Sequence, residues 1–422
     1  MISRRFRAFA CLLFLAAPAV AAAADGFYLK NGDRVVFYGD SITDQRLYTT
    51  FTETFVVTRF PKLCVTFVHS GWGGDRVTGG GGGPVDLRLK RDVLAYKPTV
   101  MTVMLGMNDG SYQPFKQSIF DTYAKGTEHI VATMKREIPG IRITLIQPSP
   151  FDDVTRKPNF PGGYNAVLVR YGEFLEKLAK KNGLDVADLN TGLTEATKKA
   201  FASDPTNAVK LNPDRVHPAP AGQILMAAEL LKAWKAPAIV SAVTMKVEGQ
   251  GTPEISAVNA RVTDLKADDG KLAWTQLDAA LPFPLDLRDP IVALAMKSSD
   301  FVRALDQQPL KVEGLKAGNY VLKIDGAEVG TYAAERLARG VNLATKVTPM
   351  TKQAAEVHKL TLKRSDIHNF RWRTIEVPFE HEDQAQVKKA CEAFDAIEAG
   401  YAKKQHEAAQ PKPHHFELSP KS

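Results

Sequence analysis

Between residues 35 and 234, short apolar runs alternate with longer stretches of helical pattern. The runs at 35–38 (Val35-Val36-Phe37-Tyr38), 65–68, 100–105, 143–146 and 184–188 are rich in β-branched and aromatic residues and read as strands. The stretches 118–137 and 163–181 read as helices, with Gly or Pro at their boundaries. Strands alternating with helices predict an α/β fold with a parallel sheet covered on both faces, and uninterrupted apolar strands suit burial on both sides. From 239 onward the pattern changes. Segments 242–247, 271–276 and 320–324 alternate, with turn residues between them, and the glycines of 315–326 predict a hairpin. Helical composition returns at Thr351, where Val357, Leu360, Leu362 and Ile367 call for a partner surface. The end of the chain, with Pro411, Pro413, His414 and His415, reads as a loose tail. The expected division is 1–24, a first domain at 25–238, a β-rich module or insertion at 239–345, a helical segment at 346–410 and a flexible tail at 411–422.

The first two dozen residues carry an address. Arg4, Arg5 and Arg7 precede an apolar run at 8–20, and small residues lead to Ala24, the pattern of a cleaved secretory signal. The run is short of the roughly 20 residues that a membrane span needs. Arg7 stands where a twin-arginine signal wants an apolar residue, which favours the general secretory route and a secreted or periplasmic protein. No later segment is long and apolar enough to span a membrane. Composition excludes wholesale disorder, collagen and coiled coil, since 44% hydrophobic and 24% charged residues are ordinary globular values. The formal charge of +8 comes from 55 basic and 47 acidic residues, and losing the three early arginines would leave about +5. That excess is spread out, which gives no reason to expect nucleic acid as a partner. Cys11 falls within the signal, leaving Cys64 and Cys391. One disulfide between them is possible, but two thiols make no scaffold, and Cys64 in the apolar run 63–68 reads as buried packing.

Four short motifs carry chemistry. The first strand runs into Gly39-Asp40-Ser41-Ile42-Thr43, which places a serine at the carboxyl end of a strand, where α/β sheets keep ligands. A helix beginning there aims free N–H groups and its positive dipole end at that serine. Gly71-Trp72-Gly73-Gly74-Asp75 follows the second strand, and a glycine there lets a backbone N–H approach a ligand. Gly106-Met107-Asn108-Asp109 follows the third, where an Asn side chain can meet a developing oxyanion. Asp214-Arg215-Val216-His217 lies on a late loop, and its spacing lets a carboxylate hold an imidazole whose other nitrogen faces outward. A serine hydroxyl needs such a base to become a nucleophile. Taken singly, each motif is common as a plain turn. The Gly79–Gly83 run is followed by no Lys-Ser/Thr and reads as a mobile loop near the site rather than a phosphate cradle. Trp72 could stack on a sugar ring, line an acyl pocket, or belong to the core.

Together and in this order, the four motifs resemble the SGNH superfamily of GDSL-type esterases and lipases, over about residues 31 to 235. The resemblance implies a flavodoxin-like three-layer α/β/α parallel sheet, here joined to a C-terminal β-rich module and helices. It implies Ser41 as nucleophile, His217 as base and Asp214 as its orienter. The oxyanion hole would be the N–H of Ser41, the N–H of Gly74 and the side chain of Asn108. No cofactor or metal is expected. One departure is visible: the family's second motif usually carries an Asn before the glycine, where this chain has Val68-His69-Ser70. Asp40 and Asp109 are expected to cap neighbouring N–H groups. The activity implied is an exported serine esterase acting through an acyl-enzyme, on a small ester or an acetylated polysaccharide, with carbohydrate O-acetyl groups preferred. Lysophospholipid, aryl ester and thioester hydrolysis, acetyl transfer, and a polysaccharide-binding protein with a vestigial site are the rivals. Because all motifs fall before Trp234, chemistry is expected to need nothing from Ile239 onward.

Overall fold

The computed structural model describes residues 26–247, 253–268 and 270–421, so the expected signal at 1–24 lies outside the described residues. Five parallel strands form the central sheet. Thr66–Gly71 is outermost beside Arg34–Gly39, and then come Val100–Met104, Arg142–Ile146 and Asp185–Ala187. This is the flavodoxin-like order, in which the winding direction reverses between the first and third strands. Val35, Val36, Phe37 and Tyr38 are all fully buried, as an unbroken apolar strand covered on both faces requires. Helices Leu47–Arg59, Leu189–Ser203 and Pro220–Ala233 pack together on one face. Val85–Asp92, Gln117–Glu137 and Gly163–Asn182 cover the other. Trp234 closes the core, donating its indole N–H to Thr144 Oγ1 at 3.0 Å.

The C-terminal half holds two more sheets around a second core. One runs Ala260–Asp268, Lys271–Asp278, Pro413–Pro420, Asn319–Ile324, Ala327–Ala333, all antiparallel. The other runs Val341–Asn342, Pro309–Glu313, Ala242–Lys246, Glu254–Val258. The expected hairpin is present, turning at Asp325 and Gly326 with φ of 51° and 78°, the two left-handed residues of a tight hairpin turn.

Several expectations are corrected here. The supposed tail is a central strand: Phe416 and Leu418 point into the core while His415 and Glu417 face out, and Trp274 stacks on Phe416 at 5.1 Å. Pro413 and Pro420 sit only at the strand's ends, where proline is tolerated. A boundary at 238 is not a packing boundary, because Phe283, Leu294, Phe301 and Leu305 join the first core and helix Pro290–Ser298 packs on Leu189–Ser203. Cys64 is exposed, Cys391 is buried and both are free thiols. The glycine run forms a two-stranded hairpin, Gly79–Gly80 with Gly83–Pro84, lying against Trp72. A side chain on Gly82 would meet the indole at 2.7 Å, so these glycines serve close packing rather than mobility.

The C-terminal helices do find a partner surface. Pro349–Phe370 begins at a Thr348 capping box with proline at the first helical position. It pairs with Gln384–Ala408, and a six-residue π-helical turn, Arg371–Glu376, follows the first of them. Val357 is fully buried while Leu362 stays exposed. The contact with the first domain centres on Glu53 of Leu47–Arg59. Its Oε1 accepts from Arg364 Nε at 2.9 Å and Gln405 Nε2 at 2.8 Å. Its Oε2 accepts from Arg364 Nη2 at 2.5 Å and His69 Nε2 at 3.1 Å. Arg364 Nη1 also donates to Phe67 O and Glu398 Oε1. Burial works against the Glu53 charge, but Arg364 and His69 outweigh it and hold the carboxyl down at about 2. Burial pushes His69 down to about 4, against the pull of Glu53, so the ring is neutral and donates Nε2–H.

Two outcomes follow. Arg364→Met leaves Glu53 as an uncompensated buried charge and is expected to cost about 3–5 kcal/mol in urea unfolding; an unchanged midpoint would contradict the clamp. The His69 shift also has a sign. Its folded pKa lies below its unfolded value of 6.5, so the unfolded chain takes up the proton first and stability falls as pH drops from 6.5 toward about 4. Glu53 acts in the same direction, its contribution fading below 4.5, whereas Asp40 and Asp306, both raised to about 7 by burial, act oppositely. Urea stability of wild type and His69→Phe from pH 7 to 4 isolates the histidine, and wild type should lose more than the variant.

Candidate active site

The site lies where the sheet's winding reverses. Gly39 pairs with Met104 at the carboxyl ends of the first and third strands, and the Ser41 and Asn108 loops leave the sheet side by side there. Asp40 caps helix Ser41–Asp44, its Oδ1 accepting the Ile42 N–H at 3.1 Å. Ser41, at the first helical position, therefore keeps an N–H with no intrahelical partner. Asp40 is wholly buried, and burial raises its carboxyl to about 7. Asp109, raised by burial to about 6, accepts the Val77 N–H at 2.9 Å and ties the third rim loop to the second. Both acids cap backbone groups, as the sequence suggested.

Ser41, His217 and Asp214 stand in one hydrogen-bonded line. Ser41 Oγ is 2.8 Å from His217 Nε2, and His217 Nδ1 is 2.7 Å from Asp214 Oδ2. Asp214 Oδ1 also accepts the N–H groups of Val216 at 2.9 Å and His217 at 2.7 Å. Partial burial opposes its ionisation, but these N–H groups and the imidazole prevail and hold the carboxyl below its usual range. An ionised Asp214 favours the tautomer with hydrogen on Nδ1, leaving Nε2 as the acceptor facing Ser41. Arg215 fixes the turn between them. It adopts φ of 75°, costly for a non-glycine residue, and is held by Asn159 Oδ1 at 2.5 Å, by the Lys157 carbonyl, and by its carbonyl accepting the Asp152 N–H.

The second rim loop offers one free amide. The Trp72 N–H donates to Gly39 O at 3.0 Å, the Gly73 N–H to Asp44 Oδ2 at 3.1 Å and the Asp75 N–H to Trp72 O at 3.1 Å. Gly74, with φ of 78°, donates to no acceptor among the described residues, which distinguishes it from Gly73 as a candidate oxyanion donor. Asn108 donates one Nδ2 hydrogen to Asp75 O at 3.0 Å, and Tyr112 Oη–H donates to Asn108 Oδ1 at 3.0 Å. The amide is thus oriented at both ends and keeps a second N–H in hand. Tyr112 was not foreseen; its neighbours Phe151 and Tyr164 hold its ring.

Two residues near the site come from elsewhere in the chain. Arg373, from the π-helical turn, lays its guanidinium 3.5 Å over the Trp72 ring, and Trp372 meets the same indole edge-on at 5.5 Å. Residues from beyond Ile239 thus pack beside the second rim loop, and Trp72 has one face covered by protein. His69, in the stretch where the family's Asn is usual, serves the Glu53 cluster. The site itself is open: Gly73 and Gly74 are exposed, and the His217 and Asp214 side chains are 32% and 55% exposed.

Residues 37–225 match the GDSL-like Lipase/Acylhydrolase family model. The chain carries a GDSL-like acylhydrolase domain, and with it the activity of a carboxylic ester hydrolase. Among curated proteins, the acetylxylan esterase of Geobacillus stearothermophilus is 24% identical over 225 residues, covering 48% of this chain and 94% of that enzyme. Among solved structures, BT4096, a gut microbial diltiazem-metabolizing enzyme, superposes with a TM-score of 0.80 at 25% identity over 93% of this chain and 98% of the other. The acylhydrolase domain thus resembles a free-standing esterase, and the C-terminal sheets and helices have a counterpart in the longer structure.

In this acylhydrolase, Asp214→Asn should leave the fold intact and lower turnover of p-nitrophenyl acetate on the order of 10³-fold or more, because an amide no longer enforces the imidazole tautomer. Near wild-type turnover in the purified variant would show that the line of hydrogen bonds is not used.

Proposed function

We propose that the protein is an exported serine esterase that removes short acyl groups, O-acetyl above all, from carbohydrate. The observation that carries this reading is the Ser41–His217–Asp214 hydrogen-bonded line at the carboxyl end of the first strand, between the strands that lead into the Gly74 and Asn108 loops. Ser41 Oγ attacks the ester carbonyl carbon as His217 Nε2 takes its proton. The carbonyl electrons move to oxygen, where the N–H of Ser41, the N–H of Gly74 and Asn108 Nδ2 receive the charge. Collapse expels the alcohol, which leaves with the proton from His217. Water, deprotonated by the same ring, then attacks the acyl-enzyme and releases the acid and Ser41.

Three observations support acetylated carbohydrate. The curated relative is an acetylxylan esterase, the amino-terminal sequence has the pattern of a secretory signal, and the open rim admits an ester on a bulky molecule. A second reading, a small-molecule ester hydrolase, is favoured by the full-length likeness to the diltiazem-metabolizing enzyme. Both use the same chemistry and differ in the alcohol.

The test has two arms. A fluorophosphonate probe should label Ser41 stoichiometrically in wild type and not in Ser41→Ala, whose turnover should fall by several orders of magnitude with the fold retained. Acetate release should then be higher from acetylated xylan than from p-nitrophenyl esters of lengthening chain at equal ester concentration. Labelling with activity confined to small esters would select the second reading, and an unlabelled wild type would remove both.

A further inference from the structure

We propose that Arg373, delivered by the π-helical turn of the C-terminal helical pair, is a positioning residue for the oxyanion hole of the N-terminal domain; this rests on the serine-esterase reading above. Its guanidinium covers the Trp72 ring at 3.5 Å. From there Nη1 faces three oxygens, Asp44 Oδ1 at 3.4 Å, Asp44 Oδ2 at 3.5 Å and Gly71 O at 3.5 Å. Asp44 is the last residue of the helix that Ser41 begins, and its Oδ2 accepts the Gly73 N–H. The chain of contacts thus runs from Arg373 through Asp44 to the loop that presents Gly74.

The geometry explains why that loop needs outside help. The free amide belongs to the Gly73–Gly74 peptide unit, and consecutive glycines have the widest backbone freedom. This unit is bracketed by the two peptide planes beside it. On one side the Gly73 N–H is held by Asp44, and on the other the Asp75 N–H is held by Trp72 O. Arg373 bears on the first bracket through its ion pair with Asp44, and it covers the ring of Trp72, the residue whose carbonyl makes the second. The Gly79–Gly83 hairpin packs on the same indole, where a side chain on Gly82 would strike the ring. The arginine also sets the local charge. An uncompensated Asp44 beside Gly73 would repel the charge that grows on the substrate oxygen, and the guanidinium cancels it. The planar, delocalised cation suits both tasks, since it stacks on the indole and reaches the carboxylate from one position.

The test uses the full-length protein with p-nitrophenyl acetate. Arg373→Met should lower kcat by about 10–100-fold with KM within about twofold, because a misaimed oxyanion donor is missed in the transition state and not in the bound ester. Asp44→Ala should lower kcat in the same way. The Arg373→Met/Asp44→Ala double variant should lose no more than the worse single variant, since both act along one chain of contacts. Thermal melting checks that each variant is folded, and Asp44→Ala carries the test if Arg373→Met does not fold. A folded Arg373→Met or Asp44→Ala with wild-type kcat, a loss residing in KM, or losses that multiply in the double variant would overturn the proposal. Fluorophosphonate labelling separates this from the parent reading. An unlabelled wild type removes the esterase mechanism itself, while a labelled wild type with unimpaired variants removes only the role of Arg373.

Discussion

A carboxyl with no access to water must either keep its proton or be given a counter-charge, and for Glu53 that counter-charge comes from Arg364, 311 residues further along the chain. Much of the architecture answers to this requirement. The helix bearing Glu53 follows the serine turn, so the C-terminal helical pair that supplies Arg364 is drawn against the catalytic sheet rather than left as an appendage. At the carboxyl end of the same helix, buried Arg59 donates to the carbonyls of Pro237 and Leu305 and approaches Asp306 Oδ1 at 3.4 Å. One helix thereby anchors two separate parts of the C-terminal half, and the molecule has two hydrophobic cores joined through buried polar contacts.

That arrangement changes what the acylhydrolase domain is. A flavodoxin-like sheet places its loops at the winding reversal whatever follows it in sequence. The side chains around those loops, however, are steadied from outside. Arg88, fully buried, donates to Asp75, Asp92 and the Ser70 carbonyl behind the second loop, and Trp372 donates to Asp92 Oδ1 at 2.7 Å. Arg91 bridges Glu380 and the Gly82 carbonyl. The floor of the second rim loop is therefore a polar lattice built mostly by the sheet domain and completed by Trp372 and Glu380 from between the two C-terminal helices.

The legible and illegible parts of the sequence separate along physical lines. The five sheet strands were visible because a strand buried on both faces must be continuously apolar, as Val35 to Tyr38 are. Ser41, Gly74, Asn108, Asp214 and His217 were visible because each sits in a short local pattern, and the structure brings Ser41, His217 and Asp214 into one hydrogen-bonded line. Residues 413–420 were misread because two prolines and two histidines dominate the composition, while the alternation that matters rests on Phe416 and Leu418 alone. Arg373 and Arg364 carried no local signal at all. Each is an ordinary arginine in a charged helical segment, and its meaning comes from a partner hundreds of residues away. Cys64 shows the converse error, an apolar neighbourhood in sequence that proved to be exposed.

The placement of Pro413–Pro420 in the middle of its sheet governs the order of assembly. Lys271–Asp278 and Asn319–Ile324 are not neighbours in the sheet; each pairs instead with Pro413–Pro420, which lies far beyond both in sequence. Until it arrives, the sheet exists as two open hairpins with facing unpaired edges, and such edges invite pairing with other chains. The second core, with Trp274 stacked on Phe416, closes only through a contact of long sequence separation, which is slow to form. A variant lacking residues 413–420 would therefore keep its acylhydrolase motifs yet expose sticky half-sheets, so the integrity of the second core hangs on one eight-residue strand.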